Sequence, residues 1–346
     1  MNADFQDLKN RYLNTLNKIK VDFTHVEEKF SGEMHFIRLS NVERPKKYLV
    51  FTSGIHGIEG YIGSDMIVYF LEEYLQTLNF HTTGLIIINF INVWGLIHFS
   101  RNNENNIDLN RNFKQTFNHN NIGNLTHTFF TGQWLTGNWL KDHLIFYREV
   151  LPLLFSSYWE SATNQLLRGQ YLSSEYPFYG GNSLESENKT LLEWLTPYMD
   201  NDFELILLDL HTGIGDYGAM TIILDAGEPE SNLNWKLNLG FPNILKSGEG
   251  SMYDVSGDFT SYLYQNNQNV KHFSVTVEFG IKHFHPLTSM FSLKNLIFEN
   301  GFRNKKIEFN RSQYASYFYT DRSKWWLMAK KQFDQGIKGI VKYFEL

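Results

Sequence analysis

The chain contains no cysteine, which excludes disulfide frameworks, thiolate metal sites, iron–sulfur clusters and thiol nucleophiles together. Any metal must therefore be held by nitrogen and oxygen. There is no excess of basic charge. A net charge of -6 and a pI near 6.1 argue against a surface built to coat phosphate backbones, so nucleic acid is not an expected partner. No run approaches the roughly 20 apolar residues that span a bilayer. The amino terminus, Met1 to Lys20, intersperses Asp4, Asp7, Lys9, Arg11 and Lys18 among its apolar residues, which is an amphipathic helix and not a signal peptide. No membrane association and a cytoplasmic location are the resulting expectations. Gly54, Gly57, Gly60 and Gly63 fit neither the dinucleotide nor the nucleoside-triphosphate loop spacing. A Gly-x-Ser-x-Gly nucleophile elbow is also missing.

What is present is a folding sequence of 346 residues, 42% hydrophobic and 16% aromatic, able to bury a substantial core. It shows no internal repeat, linker or compositional break, so residues 1–346 are expected to form one domain, with a helix-and-strand segment over 1–46 and a helical tail over 285–346. Buried strands are expected at Tyr48 to Ser53, Leu85 to Asn92, Glu204 to Leu210 and Phe273 to Gly280, with further strands at Met34 to Leu39 and Met220 to Leu224. A helix from Tyr61 to Leu78 separates the first two of these buried strands, giving the crossover unit of a parallel or mixed sheet. The asparagine-rich stretch from Asn92 to Phe113 reads as a long loop.

The chemistry gathers at the ends of these strands. His56 and Glu59 lie in Gly54-Ile55-His56-Gly57-Ile58-Glu59-Gly60, on a strand-to-helix turn at the carboxyl edge of a sheet, where open α/β folds place ligands. His211 follows another buried strand. Two imidazoles and a carboxylate form an open ligand set for catalytic zinc, which lowers the pKa of a bound water toward about 7. Such a hydrolase needs a carboxylate to take the water's proton, and Glu278, the one acid in an apolar strand, supplies it. Arg111 offers a planar fork for a carboxylate, with Asn110 beside it as a further donor. Arg101 is placed to stabilise an oxyanion, and Asp108 to accept from the far nitrogen of a metal-bound imidazole.

Each residue also has a plainer reading. His56 reads equally as a turn histidine, and Glu59 as a first-turn acid on a helix dipole. Asn110 and Arg111 read as a loop cap and a surface charge, and Asp108 as the start of an Asx turn. His25 and Glu28 repeat the His-x-x-Glu spacing with no glycine turn around them. His283 and His285, on a turn with no carboxylate nearby, read as solvent-facing. The order of the first set along the chain is what favours a joint site.

That order, His56-x-x-Glu59, Arg101, Asp108-x-Asn110-Arg111, His211 after a buried strand and Glu278 in a late one, resembles the zinc carboxypeptidase family, the carboxypeptidase A-like or funnelin-type metallopeptidases. The resemblance covers Tyr48 to Gly280, about two-thirds of the chain. The Tyr179-Gly180-Gly181 turn and the His211-Thr212-Gly213 run are similar to a bacterial branch related to aspartoacylase and succinylglutamate desuccinylase. The resemblance implies a three-layer α/β/α fold with a mixed sheet of about eight strands. It also implies one zinc ion held by His56, Glu59 and His211, a clamp of Asn110 and Arg111 on a substrate carboxylate, Arg101 at the oxyanion and Glu278 as general base. The family carries a mobile tyrosine over its substrate, a part that falls to Tyr253 in this chain, with Tyr217 as the competing choice. The implied activity is hydrolysis of an amide beside a free carboxylate, as in a carboxypeptidase. The alternatives are an N-acyl amino acid deacylase of the aspartoacylase kind and a non-catalytic metal-binding protein of the same fold. The implied partner is a peptide or N-acyl amino acid carrying a free carboxylate.

Overall fold

A computed structural model describes residues 3–117, 132–154, 167–248, 257–282, 286–306, 308, 314–315, 318 and 322–346. Eight strands form one mixed sheet in the order β1-β2-β4-β3-β5-β8-β6-β7. They are β1 (His25–Ser31), β2 (Met34–Ser40), β3 (Lys47–Ser53), β4 (Thr83–Asn89), β5 (Glu204–Ile214), β6 (Met220–Leu224), β7 (Ile244–Lys246) and β8 (His272–Lys282). The central strands β4, β3, β5 and β8 run parallel, while β1, β2 and β6 contribute antiparallel pairings.

The sheet is covered on both faces because its strands are apolar at consecutive positions, and alternate side chains point to opposite sides. Along β3, Leu49 and Phe51 enter one core with Phe5, Tyr12, Ile62, Phe70, Trp325 and Phe333. Tyr48 and Val50 enter the other with Leu191, Trp194, Tyr198 and Phe259. The first face thus carries α1 (Ala3–Ile19), α2 (Gly60–Glu73) and a carboxyl-terminal helix, Arg322–Phe344. The second carries helices Ser186–Leu195 and Phe259–Asn266. Helix Trp139–Leu154 joins helix Pro286–Arg303 through Phe146, Val150, Leu293 and Ile297, in a separate cluster. Among the described residues no helix is long and apolar enough to cross a membrane.

Three elements depart from the expectations. β1 is an edge strand with the exposure pattern of a solvated surface, so it lacks the apolar run that marks a buried strand. The loop after β4 contains a short helix, α3 (Val93–His98), which the Asn92 side chain caps by accepting from Gly95 N at 2.8 Å. His211 does not follow its strand but lies within it, since β5 continues to Ile214. Continued pairing with β8, where His211 stands opposite Glu278, extends the strand beyond its apolar run.

Candidate metal centre

The turn after β3 brings His56 and Glu59 together through its backbone. Gly54 adopts φ +83, a left-handed conformation that costs glycine little, and His56 then precedes a single 3-10 turn, Gly57–Glu59, that leads into α2. In a 3-10 turn, residues three apart lie one above the other. His56 Nδ1 is accordingly 3.0 Å from Glu59 Oε1. The turn is held from behind, because Gly57 N and Ile58 N donate to the carbonyls of Arg101 and Ser100. A Cβ on Gly57 would lie 2.3 Å from Gly95 Cα, so only glycine permits this approach of the turn to α3.

β5 brings in His211 from the other side. Its Nδ1 lies 3.1 Å from Glu59 Oε2 and 3.2 Å from His56 Nδ1, while Thr212 N donates to Glu59 Oε2 at 3.1 Å. One donor atom from each of His56, Glu59 and His211 lies within 4.8 Å of the others, and all three residues are buried.

The outward nitrogens set the chemistry of the inward ones. His56 Nε2 donates to Asp108 Oδ1 at 3.1 Å and His211 Nε2 to Asp209 Oδ2 at 2.7 Å, which leaves both Nδ1 atoms facing inward. Two ring nitrogens and a carboxylate at this separation need positive charge between them, supplied either by protons on the nitrogens or by a cation to which both nitrogens offer lone pairs. An N,N,O donor set without sulfur suits zinc, so these residues fit the ion.

Without an ion, protons on the rings take that place. Burial raises the Glu59 carboxyl, but the His56 charge, hydrogen bonds from His211 and His56, and Arg101 overrule it and hold the group well below the usual carboxylate range. Asp108 also ends well below its ordinary value, burial being outweighed by Arg101, His56 and Arg111. Burial lowers His211, yet Asp209 and Glu59 lift it well above an ordinary histidine. Glu59 and Asp108 thus remain ionised beside the imidazoles, each ion-paired to Arg101.

The other expected residues surround this centre at varying distance. Arg101 donates from Nη1 to Glu59 Oε1 and from Nε to Asp108 Oδ2, each at 3.0 Å, so its guanidinium braces two acids of the centre. Asn110 Oδ1 accepts from Phe259 N at 2.9 Å. Arg111 Nε and Nη1 donate to the carbonyls of Leu167 and Asn110. Glu278 is buried on β8 in register with His211, and paired residues on neighbouring strands project to one face. Tyr217 is half-buried in the turn before β6. Tyr253, His283 and His285 lie outside the described residues.

Asp209 was not among the expected residues, although its signal was present. Asp209 and His211 are two apart on a strand and so share a face. Thr52 Oγ1 donates to the second oxygen of Asp209 at 2.6 Å, tying His211 to β3.

A family model described as "Protein of unknown function (DUF2817)" matches residues 13–332. The chain belongs to this DUF2817 family. No curated protein matches it. Among solved structures, this DUF2817 chain is similar to bovine thrombin-activatable fibrinolysis inhibitor, solved in complex with tick carboxypeptidase inhibitor. The identity is 15%, 91% of this chain and 97% of that one are covered, and the TM-score is 0.50. Carboxypeptidase A from Helicoverpa armigera is 14% identical over 89% of this chain and 72% of that chain, with a TM-score of 0.45. Succinylglutamate desuccinylase from Chromobacterium violaceum is 13% identical over 86% and 77%, with a TM-score of 0.40. The first of these shows that the α/β fold is carboxypeptidase-like.

Proposed function

We propose that the chain is a zinc-dependent hydrolase of amide bonds next to a free carboxylate, most simply a metallocarboxypeptidase, formed as one catalytic domain over residues 1–346. The observation that carries this reading is the inward convergence of His56 Nδ1, His211 Nδ1 and the Glu59 carboxylate, with Asp108 and Asp209 behind the two rings. Bound there, zinc would act as a Lewis acid and make water nucleophilic near neutral pH.

The protein's own residues supply the rest. Glu278, beside His211 on the neighbouring strand, takes the proton from the attacking water and returns it to the departing nitrogen. Arg111 and Asn110 bind the substrate carboxylate and so set which amide is presented. Their side chains already hold carbonyl and amide partners, which limits their freedom to reorient and favours one pose. Arg101 keeps Glu59 and Asp108 ionised and in place, and its charge favours the oxyanion as it develops. Tyr253 is assigned to cover the substrate.

Replacing Glu278 by glutamine tests the reading. The variant is expected to retain zinc by elemental analysis while hydrolysis of peptides or N-acyl amino acids falls by roughly 10²- to 10⁴-fold. Full activity would remove Glu278 from the mechanism, and a wild-type protein that binds no zinc would remove the reading itself. Assaying both substrate classes distinguishes a peptidase from a deacylase.

A further inference from the structure

Two residues beyond His211, Gly213 adopts φ +140 and leaves a space that any side chain would enter. A Cβ at this position would lie 3.5 Å from Glu278 Oε1 and 3.9 Å from the ring carbon Cε1 of Phe318. The missing side chain therefore leaves the Glu278 carboxylate and the Phe318 ring bordering the same space.

Phe318 is fastened in this place from several sides. Thr212 Oγ1 donates to its carbonyl at 3.2 Å, which ties it to the strand that carries His211. Phe318 N donates to Ala315 O at 3.0 Å. The ring meets Tyr314 edge-on at 5.1 Å, and Tyr314 and Ala315 pack with Ile58, the residue next to Glu59. A ring from late in the chain is thus anchored to both segments that carry metal-facing residues, and it is only half-buried. A partly exposed aromatic residue held this firmly beside a carboxylate is suited to a flat apolar group.

Which half of the substrate meets the ring follows from the other anchors. Arg111 and Asn110 are fastened to Leu167 and Phe259, elements outside the Thr212–Tyr314–Ile58 cluster. The carboxylate-bearing half belongs to that flank. The Phe318 ring is then left for the group across the scissile amide.

We propose that Phe318 is a specificity-determining residue whose ring receives an apolar, preferably aromatic, group on the acyl side of the scissile amide. The proposal rests on the amide-hydrolase reading above. It adds a substrate class, namely amides whose acyl half is flat and apolar.

The test compares N-benzoyl-leucine with N-acetyl-leucine, on zinc-loaded wild-type protein and on Phe318→Ala and Phe318→Leu. The main-chain carbonyl that accepts from Thr212 survives both substitutions, and the leucine variant keeps apolar bulk should the alanine variant fail to fold. The wild type is expected to prefer the benzoyl compound. Phe318→Ala should lower kcat/KM for it by roughly ten- to a hundredfold while changing the acetyl compound by less than about threefold. Phe318→Leu should shift the ratio in the same direction by a smaller factor. Parallel loss on both compounds, or no benzoyl preference in the wild type, overturns the proposal. If neither compound is hydrolysed, the deacylase alternative fails separately, the amide-hydrolase reading is decided on peptides, and calorimetric binding of the two compounds decides the role of Phe318. Benzoyl-selective binding that Phe318→Ala abolishes supports it, and the absence of such selectivity overturns it.

Discussion

His25 and Glu28 have the same spacing as His56 and Glu59, and the two pairs form unrelated structures. The first pair lies on β1, where residues three apart project to opposite faces of the strand. Glu28 there turns to Lys20 and to His35, each at 3.1 Å. The second pair lies on a 3-10 turn, which superimposes residues three apart, and its side chains meet at 3.0 Å. A His-x-x-Glu motif carries chemical meaning only once the period of its backbone is known. Gly54, with its left-handed backbone, and Gly57, packed against Gly95, are what permit that turn at the second site.

The largest predicted effect follows from this contrast. His211→Ala or Glu59→Gln should reduce the zinc content of the purified protein to background, since each removes one of three convergent donors. His25→Ala should leave zinc content unchanged. Loss of zinc from the His25 variant would break the comparison.

A smaller effect is expected from a residue that touches no metal. Asp209→Asn removes the carboxylate that accepts from His211 Nε2 and fixes which ring nitrogen faces inward. Zinc affinity, measured by competition with a chelator, should fall by roughly 10- to 100-fold. An unchanged affinity would mean that β5 alone orients the ring.

The parts of this architecture that were legible from sequence are those where composition and structure share a cause. The β3 run, the glycine turn and the lone acid Glu278 in an apolar strand each follow from local chemistry. Asp209 satisfied the same criterion as Glu278, a lone acid in the run Leu207-Leu208-Asp209-Leu210, but its partner two residues on becomes evident only when β5 is known to continue through His211. Other features are written in no local pattern. The register that sets His211 beside Glu278 depends on sheet pairing. The bracing of Glu59 and Asp108 by Arg101 depends on where the loop after α3 returns. The contact of Phe318 with Thr212 joins two distant stretches of chain. β1 escaped notice because an edge strand with a solvated face lacks a buried apolar run.

A third buried histidine, away from the metal centre, sharpens the comparison with the smallest effect. His35 on β2 lies between Tyr12 of α1, whose Oη is 2.8 Å from its Nδ1, and Glu28 of β1, 3.1 Å from its Nε2. Burial outweighs the attraction of Glu28 and, aided by Lys20 and Lys9, lowers the His35 pKa. At His211 the carboxylates win over burial and the shift is upward. The signs lead to different consequences. A histidine whose folded pKa is depressed binds fewer protons folded than unfolded, so its contribution to stability is present above about pH 6.5 and lost as pH falls toward the folded value. His35→Phe should therefore lower stability near neutral pH by about 1–3 kcal/mol, because the buried Tyr12 hydroxyl loses its partner, and should also flatten the decline on acidification. Urea unfolding of both proteins at about pH 7.5 and about pH 5.5 measures the two effects together. If the variant declines as steeply as the wild type, the acid sensitivity arises elsewhere and His35 serves only to pack α1 against the sheet.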